Sequence, residues 1–151
     1  MIFKKPELED LPILRKYFEG LEFYNSGYTP GMMYLWAPFY NIEYAIVDDM
    51  VVCRAGKDKK RYSYPIGQGD AKAVLDQIIK ECEKDGTDFE MYGVTKDIEE
   101  KMVALYGDVF EVAYDRDNAD YVYLSEKLIS LSGKKLHSKR NHINRFIANH
   151  E

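Results

Sequence analysis

The sequence predicts an α/β protein built on a mixed, mostly antiparallel sheet. Two β-rich runs flank Asp48-Asp49 in "YAIVDDMVVCRAG", a hairpin pattern, because aspartates tolerate the left-handed conformations of a two-residue turn. From Asp70 onward helix and strand alternate, the mark of helices laid against a sheet. The 151 residues suit one domain with a real core.

In chain order, "MIFKK" is a first short strand. Glu7 to Glu19 reads as a helix, with Leu8, Leu11, Leu14 and Phe18 on one stripe and Pro12 in the first turn, where proline is tolerated. In the aromatic segment "YNSGYTPGMMYLWAPFYNIEY", Thr29 caps a short helix from Pro30, and Pro38 ends it. After the hairpin, "RYSYPIG" is a third strand. Asp70 caps an amphipathic helix carrying Ala73, Val74, Ile78, Ile79 and Cys82, closed by Gly86. "DFEMYGV" is then a strand and "TKDIEEKMVALYG" a helix capped by Thr95. "VFEVAYD" and "ADYVYL" are two more strands on either side of Asp115 to Asn118. Residues 1–124 therefore form the α/β domain, and 125–151 a basic helical extension.

Composition excludes several classes. With 46% hydrophobic and 31% charged residues the chain is globular. Thirteen tyrosines point to an aromatic core or groove. No apolar run approaches the ~18 residues of a membrane span. "MIFKKPELED" turns acidic at once, unlike a secretory signal, so a soluble, cytoplasmic protein is expected. Cys53 and Cys82 stand in no metal or redox spacing and read as reduced core thiols.

Charge is uneven. The net charge is -5, yet from Lys127 to His150 there are six Lys or Arg and no Asp or Glu. Gly133 breaks a helix running from Ser125, and a second helix is expected from about Lys134 to Ala148. On that helix Leu136, Ile143 and Ile147 share a face, and Lys134, Lys135, Lys139, His142 and Arg145 fall on one adjoining arc. Arg140, beside the apolar stripe, is expected to pair with a buried carboxylate. The arc is a candidate anion-binding face for transfer RNA or lipid head groups; the alternative is a solvated face that complements the acidic body or covers a missing half. His137 and His142, five apart, lie on different sides of a helix and do not form a zinc pair.

Two resemblances add to this reading. The element order across residues 1–124 resembles the fold of the acetyl-coenzyme A-dependent N-acetyltransferases. "DYVYLSEKLISLSGKKLHSKRNHINRF" resembles the signature of a bacterial family related to the phosphatidylglycerol lysyltransferase C-terminal domain, and "YTPGMMYLWAPFYNIEY", with Trp36 and Tyr40, resembles that family's aromatic N-terminal segment. The resemblance implies two acyltransferase-like halves, with the basic motif leading out of the first and the transferase site mainly in the second. With the sequence ending at Glu151, it implies a first half, as a fragment or alone, and an aminoacyl-transfer RNA donor.

The N-acetyltransferase likeness implies further site residues. In "YPIGQGDAKAV", Gly67 and Gly69 match the small positions of the loop that holds the coenzyme A pyrophosphate, since amides at a helix N-terminus cradle phosphate. Tyr64 departs from the expected Gln or Arg, Asp70 adds negative charge, and any tight strand-to-helix turn also needs glycine. Tyr106 resembles the tyrosine that reprotonates the leaving thiolate; the alternative is that it closes its helix against the sheet. Three functions follow in order. The first is a supporting half of an acyl- or aminoacyl-transferase, not catalytic alone. It is expected to partner a second half or a homo-oligomer. The second is a stand-alone acetyl-coenzyme A-dependent N-acetyltransferase. The third is a non-enzymatic RNA-binding module using Lys135, Lys139 and His142.

Overall fold

The hairpin forms as its residues dictate. In the computed structural model, which describes residues 1–21 and 25–150, β1 (Glu43–Val47) and β2 (Met50–Ala55) pair antiparallel from Glu43–Arg54 to Val47–Met50. Asp48 and Asp49 make the two-residue turn with φ of 48° and 57°, the double left-handed geometry that matches strand twist. β2 is central. Its other edge receives β4 (Ile66–Gly67) opposite Met50 and Val51, and β3 (Arg61–Tyr62) opposite Arg54 and Ala55. "RYSYPIG" is thus two short strands rather than one, because Pro65 has no N–H to donate. Between them the Ser63 hydroxyl accepts from the Cys53 amide at 2.9 Å, and the Ser63 amide donates to Cys53 O at 2.8 Å.

Helices cover both faces of β2, so its residues from Met50 to Cys53 are all buried. On one side Val51 and Cys53 pack with Leu14, Phe18, Tyr28 and Met33, from α1 (Leu11–Phe18), α2 (Pro30–Tyr40) and the turn between them. On the other, Met50 and Val52 meet Val74, Ile78 and Cys82 of α3 (Ala71–Lys84). Leu75 of α3 then packs on Ile98 and Met102 of α4 (Lys96–Tyr106). The Asp70 carboxylate caps α3 as expected, accepting from the Lys72 and Ala73 amides.

Several sequence expectations are corrected. The first helix opens with a 3-10 turn at Leu8–Asp10 before α1. Pro38 does not end α2; the helix runs to Tyr40 and leaves through Asn41 at φ 48°. A proline so near the end removes one helical hydrogen bond, and the left-handed residue sets the exit. Thr29 and Thr95 sit at the helix starts but make no side-chain cap bond. "MIFKK" contributes one bridge, Lys4 to Tyr44, and "DFEMYGV" one parallel bridge, Met91 to Tyr62. "VFEVAYD" and "ADYVYL" form no strand among the described residues. Phe110 packs against the α3–α4 core, while the other large apolar side chains stay exposed, Tyr114 and Tyr121 most of all. A strand needs a sheet edge to bond its backbone, and no such edge meets them among the described residues. Tyr24, first residue of the aromatic segment, lies outside the described residues.

The chain falls into two compact units, Met1–Asn118 and Ala119–Glu151. The second holds α5 (Ser125–Ser130), a 3-10 turn at Lys134–Leu136, and α6 (His137–His150).

Candidate functional site

The glycine loop after β4 is shaped by its own hairpin. A Cβ on Gly67 would lie 2.0 Å from Asp49 O, and one on Gly69 1.8 Å from Asp48 O. Gln68 N donates to Asp49 O at 3.2 Å. The two glycines therefore let this loop press against the β1–β2 turn. The α3 amides that would hold a phosphate already receive the Asp70 carboxylate. Packing accounts for both glycines.

Tyr106 ends α4 beside α3. Its hydroxyl donates to Asp76 Oδ1 at 2.8 Å, and its ring meets Phe110 edge-on at 5.6 Å. Lys72 binds both Asp76 oxygens, at 3.0 and 2.8 Å, and its ammonium lies 4.9 Å from the Tyr106 ring centre. Burial, and then the hydrogen bond to Asp76, raise the phenol well above its ordinary value. A phenol so raised is a poor acid near neutrality. Asp76 also lines an open depression of about 500 Å³ along α3, shared with Gln77, Lys80, Glu81 and Lys84. The sequence reading missed Asp76, although the Lys72–Asp76 spacing of four was a visible sign that these side chains meet.

The basic residues are placed by α5 and α6. Lys134 and Lys135 lie in the 3-10 turn, so the expected single arc is divided. Lys139, His142 and Arg145, spaced by three on α6, keep to one side of the helix. All five are exposed, and none forms an ion pair among the described residues. Arg140 corrects its expectation. Among the described residues its guanidinium reaches no carboxylate; Nη1 donates to the carbonyls of Leu131 and Gly133, the latter at 3.0 Å. Leu131 closes α5 in the left-handed region at φ 45°, which turns helix-end carbonyls outward for such a donor. Arg140 therefore pins the junction of α5 and α6.

A further surface went unread. From Asn25 to Ile42 the chain carries no Lys, Arg, Asp or Glu, and α2 lies within that stretch. Met33 and Ala37 are buried, while Met32, Leu35, Trp36 and Phe39 are exposed. These four follow the i, i+3, i+4, i+7 spacing of one helix face, a pattern legible in the sequence.

Among the described residues no group of three His, Cys, Asp or Glu is placed to hold a metal, and no helix is long and apolar enough to cross a membrane. The family model described as phosphatidylglycerol lysyltransferase, C-terminal, matches residues 18–151. The chain belongs to the phosphatidylglycerol lysyltransferase C-terminal family. The match takes in both α2 and the basic tail, the two segments whose residues suggested that family. The chain is also similar to a conserved protein of unknown function from Bacteroides thetaiotaomicron VPI-5482, known from its crystal structure. Identity is 33% and the TM-score 0.83, over 99% of this chain and 51% of that one. The chain thus spans about half the length of that relative. No curated protein matches it.

Proposed function

We propose that this chain is the supporting half of an acyl- or aminoacyl-transferase, holding an anionic donor for chemistry completed by a second α/β half. The observation that carries the reading is the exposed set of four cations, Lys134, Lys135, Lys139 and Arg145, with the His142 imidazole among them. They have no carboxylate partner among the described residues, in a chain of a lysyltransferase family. An aminoacyl-transfer RNA presents a dense run of phosphates, which such a surface attracts without reading sequence. Two further points support it. Tyr106 is held by Asp76, and Gly67 and Gly69 are needed by the hairpin, which favours a structural role for each. The solved relative carries about as much chain again, room for a second half in the same polypeptide or another.

The test is fluorescence anisotropy of labelled transfer RNA against salt. Binding should weaken steeply as salt rises. Lys135→Glu with Lys139→Glu should weaken it further and reduce the logarithmic salt slope by roughly 2, one per lost phosphate contact. An unchanged titration in the double variant would remove the tail from the donor site.

A further inference from the structure

Tyr121, Val122, Tyr123 and Leu124 have the side chains of a buried strand, and the second unit holds no strand among the described residues. All four are exposed, from 48% at Tyr123 to 77% at Tyr121. In extended chain successive side chains point to opposite faces, so four large apolar residues in a row make both faces apolar. That is the pattern of a strand covered on both sides, as β2 is from Met50 to Cys53. The backbone agrees. Leu124 is extended, with φ −68° and ψ 133°. Tyr121, Val122 and Tyr123 make no main-chain hydrogen bond among the described residues.

The rest of the unit has no core to offer them. Among residues 119–150 none is buried, and only Leu131, Leu136 and Arg140 are half-buried. α5 has six residues and α6 fourteen, lengths at which an isolated helix is marginal in water. Ile143, Phe146 and Ile147 fall within about 100° around α6 and are exposed as well. The backbone of residues 121–123 decides which partner fits. A lipid surface would take the side chains, but hydrocarbon offers nothing to N–H and C=O groups. A nucleic acid would answer the cations and leave the four apolar side chains in water. The open edge of a sheet answers both needs, because its free amides and carbonyls pair with an added strand. To bury both faces of that strand, the sheet must carry helices on both sides, as an α/β fold does. The solved relative has about as much chain again besides the matched part.

We infer that residues 121–124 add as a β-strand to an open sheet edge of the second α/β half. The inference rests on the proposal that such a half exists, and it adds where and how that half docks. The apolar side of α6 is covered by the same half. Neither contact uses the anion-binding residues, so transfer RNA titration judges the donor reading separately.

The experiment follows amide hydrogen exchange at Tyr121, Val122 and Tyr123. The whole chain is measured alone and after co-expression with the remainder of the solved relative. The full-length relative is measured at the aligned positions. Exchange should be fast in the chain alone, and at least alternate amides should be protected in the complex and in the relative. Val122→Pro and Tyr123→Pro each delete one amide, and those two amides point to opposite edges. At least one of them should cut the yield of complex about tenfold or more, with the melting temperature of the chain alone unchanged. Three results would overturn the inference. A complex in which all three amides still exchange fast would keep the second half and remove the strand. No complex, with the relative's aligned amides equally fast, would remove the second half as well. Protection in the chain alone that grows with its concentration would assign the strand to a second copy.

Discussion

The Asp10 carboxylate is only 6% exposed and still charged. Burial by itself would raise its pKa, but the Lys4 ammonium at 2.7 Å and the Glu7 amide at 2.9 Å outweigh it and hold the group below the usual carboxylate range. The folded value is below the unfolded one, so this group's stabilisation is present above about pH 4 and is lost as pH falls through the lower, folded value. Asp10→Asn should lower stability at pH 7 by about 1–3 kcal/mol, since it weakens two bonds to a charged acceptor. In urea titrations the gap between parent and variant should close as the pH drops below 4. A gap that persists in acid would mean the loss comes from packing. The cysteines are a plainer case. Burial pushes the Cys53 thiol up to about 12, and Cys82 is buried too, which agrees with their reading as quiet core thiols.

Among the elements, the junction of α5 and α6 is bridged by a single side chain, Arg140. A left-handed leucine costs roughly 1–2 kcal/mol relative to a right-handed one, and Leu131 is held there while Arg140 donates to its carbonyl and to Gly133's. Arg140→Gln should therefore speed amide hydrogen exchange across residues 125–150 while leaving exchange in β1 and β2 unchanged. Arg140→Lys should restore protection only in part, because an ammonium lacks the planar fork that meets several acceptors at once. Equal exchange in all three proteins would show that the turn is held by its backbone alone. This contact was hidden in the sequence for a definite reason. Helical spacing places Arg140 beside the apolar stripe, but only the backward turn at Leu131 brings main-chain carbonyls within its reach.

For the whole molecule, the question is whether the first unit can hold coenzyme A. A ligand that binds only the folded state raises its melting temperature. Here the Asp70 carboxylate occupies the α3 amides, and Gly67 and Gly69 face the hairpin, so millimolar coenzyme A should leave the melting temperature unchanged. A rise, larger still in Asp70→Ala where the α3 amides are freed, would show that a cradle forms after all.

The sequence by itself determined the elements whose signals are local. Asp48-Asp49 named its turn, Asp70 its cap, and the 3.6-residue stripes α1, α3 and α4, since each depends on neighbours within a few positions. The basic tail and the aromatic segment were legible enough to place the family. Tertiary structure decided what depends on distant partners. "VFEVAYD" and "ADYVYL" have β-rich composition, but a strand exists only where another edge receives its backbone, and composition does not say whether one does. The same holds for the glycines. Their pattern alone fits a phosphate loop or a tight turn, and the approach of Asp48 and Asp49 carbonyls selects the turn, because only the folded hairpin brings that backbone to within 2.0 Å of the missing Cβ atoms.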